Sequence, residues 1–429
     1  MNAAGDRARA GWVLAVLWLC YAVNFIDRNI LSVLLQPIKE ELQVSDTAMG
    51  FLTGFAFAVF YTFAGIPIAR LADRGSRRTL MAVGIAFWSL MTAASGLART
   101  FTQLAIARIG VGVGEAAATP AAHSLISDYF PPERRTRALA IYNTGASAGI
   151  LFGLLLGGWL AESVGWRMAF AVVGLPGLFV AALVRFGVRE PARGASEGLR
   201  DAGAPPSLRE TLAWLRSLPT FRHIALAAAL YSVTAYGLLG WAPTFMRRVH
   251  ALSYAEVGLA LGLAIGVAGA IGQYAGAAAC DRLALRDRRW LVWLPAILSI
   301  AMAPFYVLFV MAGDPNLAIF AFVPVNLMNA VFAAPTYTLA QGLASLRMRA
   351  MASAIVLFVL NLIGLGVGPT LVGVLNDWLE PGYGVDAIRV SLLLLLVASL
   401  WGAVHSVLAA RTLEADLART AARDRQPAD

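Results

Sequence analysis

The chain has 429 residues, 59% of them hydrophobic and 14% charged, with a formal net charge of +9. Apolar stretches of about 20 residues recur along its whole length, each long enough to span a bilayer as a helix, which excludes a soluble domain. They are too long and too uniformly apolar for the alternating strands of an outer-membrane barrel, so an all-α polytopic membrane protein is expected.

In chain order the spans read 12–36, 48–71, 78–98, 102–127, 136–161 and 167–188, then 222–246, 254–279, 289–311, 316–343, 350–376 and 387–410. That is twelve transmembrane helices in two pseudo-symmetric six-helix bundles. The first span follows "DRARA" but is too long for a signal peptide, contains Asp27 and Arg28, and lacks a small-residue cleavage site. It is read as a retained helix. The stretch "NFIDRN" inside it is an anomaly, because each charge near a helix centre costs roughly 2.5–3.5 kcal/mol or more to bury.

Between the halves, "REPARGASEGLRDAGAPPS" has the polar, Gly- and Pro-rich composition of a linker. It ends in a capping box, Ser207 with Glu210, followed by Leu208, Leu212 and Leu215 on one face, which predicts a short interfacial helix. The domains expected are residues 1–190 as an N-terminal bundle, 191–221 as a cytoplasmic linker, 222–411 as a C-terminal bundle and 412–429 as a cytoplasmic tail.

The basic residues orient the chain. If residues 1–11 are cytoplasmic, about 26 of the 34 Lys and Arg fall on the cytoplasmic side and about 6 outside, with Arg28 and Arg108 inside the membrane. Both termini are then cytoplasmic, in a multi-pass protein of the plasma (inner) membrane. Short basic loops facing anionic lipid account for the charge without a nucleic-acid partner. Cys20 and Cys280 lie in different halves at no metal-ligand spacing, so neither a disulfide framework, a metal nor a cofactor is expected.

An internal repeat supports the division into halves. "ARLADRGSRR" after the second span recurs weakly as "AACDRLALRDRR" after the eighth, with Asp73 and Asp281 208 positions apart. "PPERRTRALA" before the fifth span is echoed by "ASLRMRAMAS" before the eleventh, with Arg137 and Arg349 212 positions apart. Parallel repeats of this kind place a binding cavity at their interface near the bilayer midplane.

"GIPIARLADRGSRR" resembles the loop signature of the major facilitator superfamily between helices 2 and 3, and the likeness covers nearly the whole chain. "NFIDRNIL", "GFAFAVFYTFAGIPIARLADRGSRR", "ARIGVGVGEAAATPAAHSLISDYFPPERR", "GWRMAFAVVGLPGLF" and "GWAPTFMRRVHALSYAEVG" are similar to its spinster-like branch. The anion:cation symporter branch shares the helix 1 Asp-Arg and a Glu-Ala in helix 4. The resemblance implies a secondary transporter working by alternating access. Its spinster-like relatives are associated with export of lysolipids and sphingoid phosphates, several of them proton-coupled. The resemblance also implies a conformational latch of Asp73, Arg74, Arg77 and Arg78, with Arg134 and Arg137 beside it. The second copy departs from the pattern, since Cys280 replaces the small residue before Asp281 and its arginines are spaced differently.

The charged residues support a coupling site on their own terms. Asp27 and Arg28 are consecutive in a helix, so their side chains diverge by about 100° and each needs a partner elsewhere. Helix 4 offers Arg108 and Glu115, seven apart on one face. One network of Asp27, Arg28, Arg108 and Glu115 is expected, with Asn24 a turn below. Asp27 or Glu115 would carry the proton, while Arg28 or Arg108 would hold a phosphate or carboxylate; a static clasp is the alternative. His123, in the same helix, offers a weaker relay candidate.

Helices 7, 8, 10 and 11 contribute neutral polar and aromatic residues: Tyr231, Tyr236, Trp241, Gln273, Asn326, Asn329, Tyr337 and Asn361. A charged first half and a neutral second half suit an amphipathic, anionic substrate of lysolipid or sphingoid-phosphate type moved by a proton-coupled monomer. Symport of small hydrophilic organic anions is the alternative, and it would favour a mid-span cation in the second half, where none occurs. Gly145, Gly149, Gly153 and Gly157, and Gly364, Gly366, Gly368 and Gly373 with Pro369, mark close helix contacts. No G-x-S-x-G and no paired His with a carboxylate occur, so an enzyme is not expected.

Overall fold

The computed structural model describes residues 3–191 and 207–425. Their helical segments group into twelve long passes. Helices 1 to 6 run over Ala3–Leu42, 46–74, Arg77–Ser95, 101–129, Pro132–Ser163 and 165–187. A linker helix, Leu208–Ser217, precedes helices 7 to 12 over Pro219–His250, 254–284, 290–311, 315–342, 349–383 and Ala387–Arg425. Nine described stretches are long and apolar enough to cross a membrane, one of them holding both helices 11 and 12. Helices 3 and 4 fall outside that set. Helix 3 opens on two arginines, and helix 4 breaks at Ala116–Ala117 after carrying Arg108 and Glu115.

Polar side chains start the helices by satisfying backbone N–H groups that lack an intrahelical partner. Ser45, Ser76, Thr100 and Asp314 accept from the N–H groups of Ala48, Thr79, Gln103 and Leu317. The expected box at Ser207 is only half formed: Ser207 accepts from the Glu210 N–H, but the Glu210 carboxylate accepts from Arg423. A complete reciprocal box forms instead at Ser253 and Glu256, where helix 8 begins.

The chain divides into two compact units. One contains the residues up to 201 together with 251–266, the other 202–250 together with 267 onward. Within the first, the start of helix 8 lies on helix 5 with almost no space between backbones. A Cβ on Gly158 would sit 2.2 Å from the Tyr254 carbonyl oxygen, and one on Gly258 2.4 Å from that of Leu154. The glycine ladder of helix 5 faces helix 1, where a Cβ on Gly149 would meet the Ala22 carbonyl at 2.5 Å. In the second unit the corresponding pair is helices 11 and 7, with Gly368 against the Val233 carbonyl at 2.6 Å.

The two halves share backbone irregularities as well. Helix 2 contains a wide π turn at Leu52–Ala56 and helix 8 one at Gly262–Ala268. Helix 4 breaks just after Glu115, and helix 10 passes through a tight turn at Ala330–Phe332, just after Asn329. Further π turns in helix 6, Leu183–Gly187, and helix 11, Leu360–Leu365, have no counterpart among the described residues.

Helix 12 continues well beyond the span expected to end at 410. Asp416 and Thr420 are buried: the Asp416 carboxylate accepts from the Thr220 N–H at 2.9 Å, and the Thr420 hydroxyl donates to the Leu343 carbonyl. Trp214 of the linker helix donates to the same carbonyl at 3.1 Å and lies under the Arg423 guanidinium. Leu215, Leu218, Leu343, Met348 and Leu413 close a common apolar core beneath it. The linker helix therefore docks on the second unit through Leu215, and Leu208 stays half exposed.

Candidate functional site

Asp27 and Arg28 do diverge around helix 1, and each finds its own partner on helix 4. Arg108 Nη1 lies 3.0 Å from Asp27 Oδ1, and the Thr92 hydroxyl of helix 3 donates to Asp27 Oδ2. Arg28 meets Glu115 through Nη2 at 2.6 Å and Nε at 3.2 Å, both on Oε2. The four charges are thus brought together as two ion pairs, Asp27–Arg108 and Arg28–Glu115, whose helix 4 members stand two turns apart.

The pairs differ in exposure. Asp27 and Arg108 are each 2% exposed and Glu115 has no exposed side-chain surface, while the Arg28 side chain keeps 14%. Arg28 is also enclosed by aromatic faces, with the rings of Phe25, Phe57 and Tyr61 centred 5.1, 4.8 and 5.0 Å from its guanidinium carbon. Such faces hold a partly desolvated cation without neutralising it. Three buried polar atoms here lack a hydrogen-bond partner: Asn24 Nδ2, Arg108 Nε and Glu115 Oε1. Unmade bonds of this kind cost about 1–3 kcal/mol each, and they mark where a proton or a ligand atom would be stabilised.

Thr92 and the rings of Phe57, Tyr61 and Phe170 are parts of this site that sequence reasoning did not name. Only Phe25 carried a signal, three residues before Arg28 on the same helix. A second aromatic group adjoins it, in which Tyr142 stacks on Tyr21 at 4.4 Å and meets the edge of His123 at 5.5 Å.

The neutral residues of the second half do not converge in the same way. Trp241 is fully buried and donates to the Pro369 carbonyl at 2.8 Å, joining helix 7 to helix 11. Tyr231 is 3% exposed and bonds the Ser406 hydroxyl. Asn326 donates to the Phe322 carbonyl of its own helix, Asn361 is buried in the helix 11 π turn, and Tyr337 packs against the core under the linker helix. Asn329 lines a small gap with Tyr231, Ser299 and Phe332, while Tyr236 is half-buried and Gln273 is exposed.

Among the expected latch residues, Arg77 is 2% exposed and bonds Asp128, Glu190, Ser124 and the Pro191 carbonyl, all within its own unit. The Arg78 side chain donates to the Val188 carbonyl. The Asp73 and Arg74 side chains lie outside the described residues. Arg134 and Arg137 are exposed and make no ion pair among the described residues. No group of three or more His, Cys, Asp and Glu that could hold a metal occurs among the described residues.

Long apolar helices in two units, with two acid–base pairs buried between helices 1 and 4, define a multi-pass membrane carrier. The model of the major facilitator superfamily matches residues 17–369, and the chain belongs to that family. Within it the chain is spinster-like. It is similar to the crystal structure of a bacterial homologue of the human lysosomal transporter spinster, with TM-score 0.87, 29% identity, and 95% of this chain and 98% of that one covered. An MFS-type efflux pump of Mycolicibacterium smegmatis is 36% identical over 95% of this chain and 94% of its own length. A probable L-galactonate transporter of Escherichia coli is 29% identical over 57% of this chain, which spans 56% of that relative.

Proposed function

We propose that this major facilitator protein is a proton-coupled secondary transporter of an amphipathic, anionic small molecule of lysolipid or sphingoid-phosphate type, working by alternating access. The observation that carries the reading is the inequality of the two pairs. Arg28 keeps 14% of its side-chain surface exposed against 2% or less for the other three charges, and Glu115 behind it has a free oxygen. An anionic headgroup arriving at Arg28 competes with Glu115 for its N–H groups. A buried carboxylate stripped of its cation is costly by several kcal/mol, and taking up a proton relieves that cost. Substrate and proton then act on one another through Arg28, and each pKa unit by which Glu115 differs between states is about 1.4 kcal/mol of coupling. The aromatic faces around Arg28 suit a substrate with apolar bulk beside its charge.

The membrane is the plasma (inner) membrane with both termini cytoplasmic, the orientation favoured by the basic loops. Arg77, Arg78 and their neighbours form the cytoplasmic latch of this cycle. A second reading, symport of small organic anions, draws support from the likeness to the probable L-galactonate transporter. Both are tested by uptake into liposomes containing the purified protein, with and without an inward-acid gradient, using a fluorescent lysolipid panel and labelled galactonate. Gradient-driven lysolipid uptake that is lost in Asp27→Asn supports the amphiphile carrier. Uptake of galactonate alone moves the assignment to organic anions.

A further inference from the structure

Arg134 and Arg137 stand apart from the other arginines near them. Arg77 is saturated by Asp128 and Glu190, Arg78 donates to the Val188 carbonyl, and Arg135 donates to the Ser127 carbonyl. The guanidinium groups of Arg134 and Arg137 have no partner among the described residues, and Glu133 beside them makes no ion pair there. Both arginines border a cavity of about 350 Å³, whose other walls are Leu14 of helix 1, Phe130 at the end of helix 4, and Ala138 and Ile141 of helix 5.

The order of these residues along helix 5 matters. Positions 134, 137, 138 and 141 share one face. Over the roughly 10 Å from Arg134 to Ile141, at 1.5 Å per residue, that face passes from two exposed cations to apolar side chains. The change falls at the start of the span expected from residue 136, next to Leu14 near the start of the span expected from residue 12. Such a gradient matches a molecule whose negative charge lies at headgroup depth and whose apolar chain begins just below it.

We propose that this cavity binds an anionic phospholipid of the cytoplasmic leaflet, its phosphate held between Arg134 and Arg137 and its acyl chain against Leu14, Ala138 and Ile141. The site is separate from Asp27 and Arg28 and does not depend on what is transported.

The test is native mass spectrometry of the detergent-purified full chain, titrated with dioleoylphosphatidylglycerol, dioleoylphosphatidylcholine and inorganic phosphate. Wild type should retain phosphatidylglycerol in preference to phosphatidylcholine, and millimolar inorganic phosphate should not displace it. Arg134→Ala/Arg137→Ala should weaken phosphatidylglycerol binding about thirtyfold, the size expected for two interfacial cations. Ile141→Glu, which keeps both arginines, should weaken it too by spoiling the apolar wall. Arg209→Ala/Arg216→Ala removes two exposed cations elsewhere and should leave the preference intact. Unchanged binding in the Arg134/Arg137 variant, or an equal loss in the Arg209/Arg216 variant, would overturn the proposal. Full displacement by inorganic phosphate would also overturn it and assign a free-anion site instead.

Discussion

Arg28 grips a single oxygen of Glu115 with two of its nitrogens, at 2.6 and 3.2 Å, and leaves the other carboxylate oxygen unbonded. Glu115→Gln keeps the shape of that side chain and removes its charge and its proton chemistry. It is expected to abolish gradient-driven accumulation in liposomes while exchange of labelled for unlabelled substrate persists. Wild-type accumulation in Glu115→Gln would remove the residue from coupling. Arg28→Lys should weaken anionic substrates at least tenfold, because a compact ammonium neither spans the edge of the carboxylate nor lies flat against three rings.

The second pair separates stability from transport. Arg108→Ala leaves Asp27 buried with only Thr92 as partner, and breaking a buried pair in this way costs about 3–5 kcal/mol. A double change, Asp27→Leu with Arg108→Met, removes both charges and should recover most of the lost melting temperature without recovering transport. Paired thermal-unfolding and uptake measurements decide the matter, and recovery of both would reduce the pair to a helix clasp.

Glu190 carries a pH signature outside the membrane. Burial alone would raise its carboxyl, but hydrogen bonds from Arg77, the Arg78 N–H and Ser76, with the Arg77 charge, hold it below the ordinary value of 4.5. A depressed carboxyl contributes stability that is complete above its unfolded value and fades as pH falls through the folded one. The melting temperature should therefore drop as pH is lowered below about 4.5, and drop less in Glu190→Gln. Parallel melting curves for the two proteins over that window would show that the contact is thermodynamically idle.

Glycine substitutions should sort by what their Cβ would meet. Gly149→Leu forces a side chain into the helix 1 backbone, and overpacking of this kind costs at least about 1–3 kcal/mol. Gly65→Leu has open space within 4 Å and should be tolerated, since leucine is also the better helix former. Detergent-extracted yield and melting temperature of the two variants test this directly. Equal tolerance at both positions would mean that helices 1 and 5 are not in close contact in the membrane.

The long apolar periods made the passes legible, and two isolated charges in helix 1 led to their partners in helix 4 because nothing else nearby was charged. The division into two pairs was not legible, since it depends on the angle between helices 1 and 4. Thr92 and Phe57 come from other helices with no local pattern to flag them. Trp241 illustrates the converse. A lone tryptophan in an apolar span reads equally well as a lining or a packing residue, and only its bond to the Pro369 carbonyl decides for packing. The length of helix 12 was hidden for a similar reason. The polar stretch after Arg411 resembles a loose tail until Asp416 and Thr420 find buried partners at Thr220 of helix 7 and at Leu343, just past helix 10.

The wide turns of helices 2 and 8 start at Leu52 and Gly262, 210 positions apart, almost the spacing that separates Asp73 from Asp281. A π turn closes over one residue more than an α turn, so it amounts to a single inserted residue lodged in a helix. The same insertion at matching places in both halves is most simply a common ancestor's, older than the divergence of the two copies. The backbone has thus kept a genealogical mark that the side chains around Cys280 have largely erased.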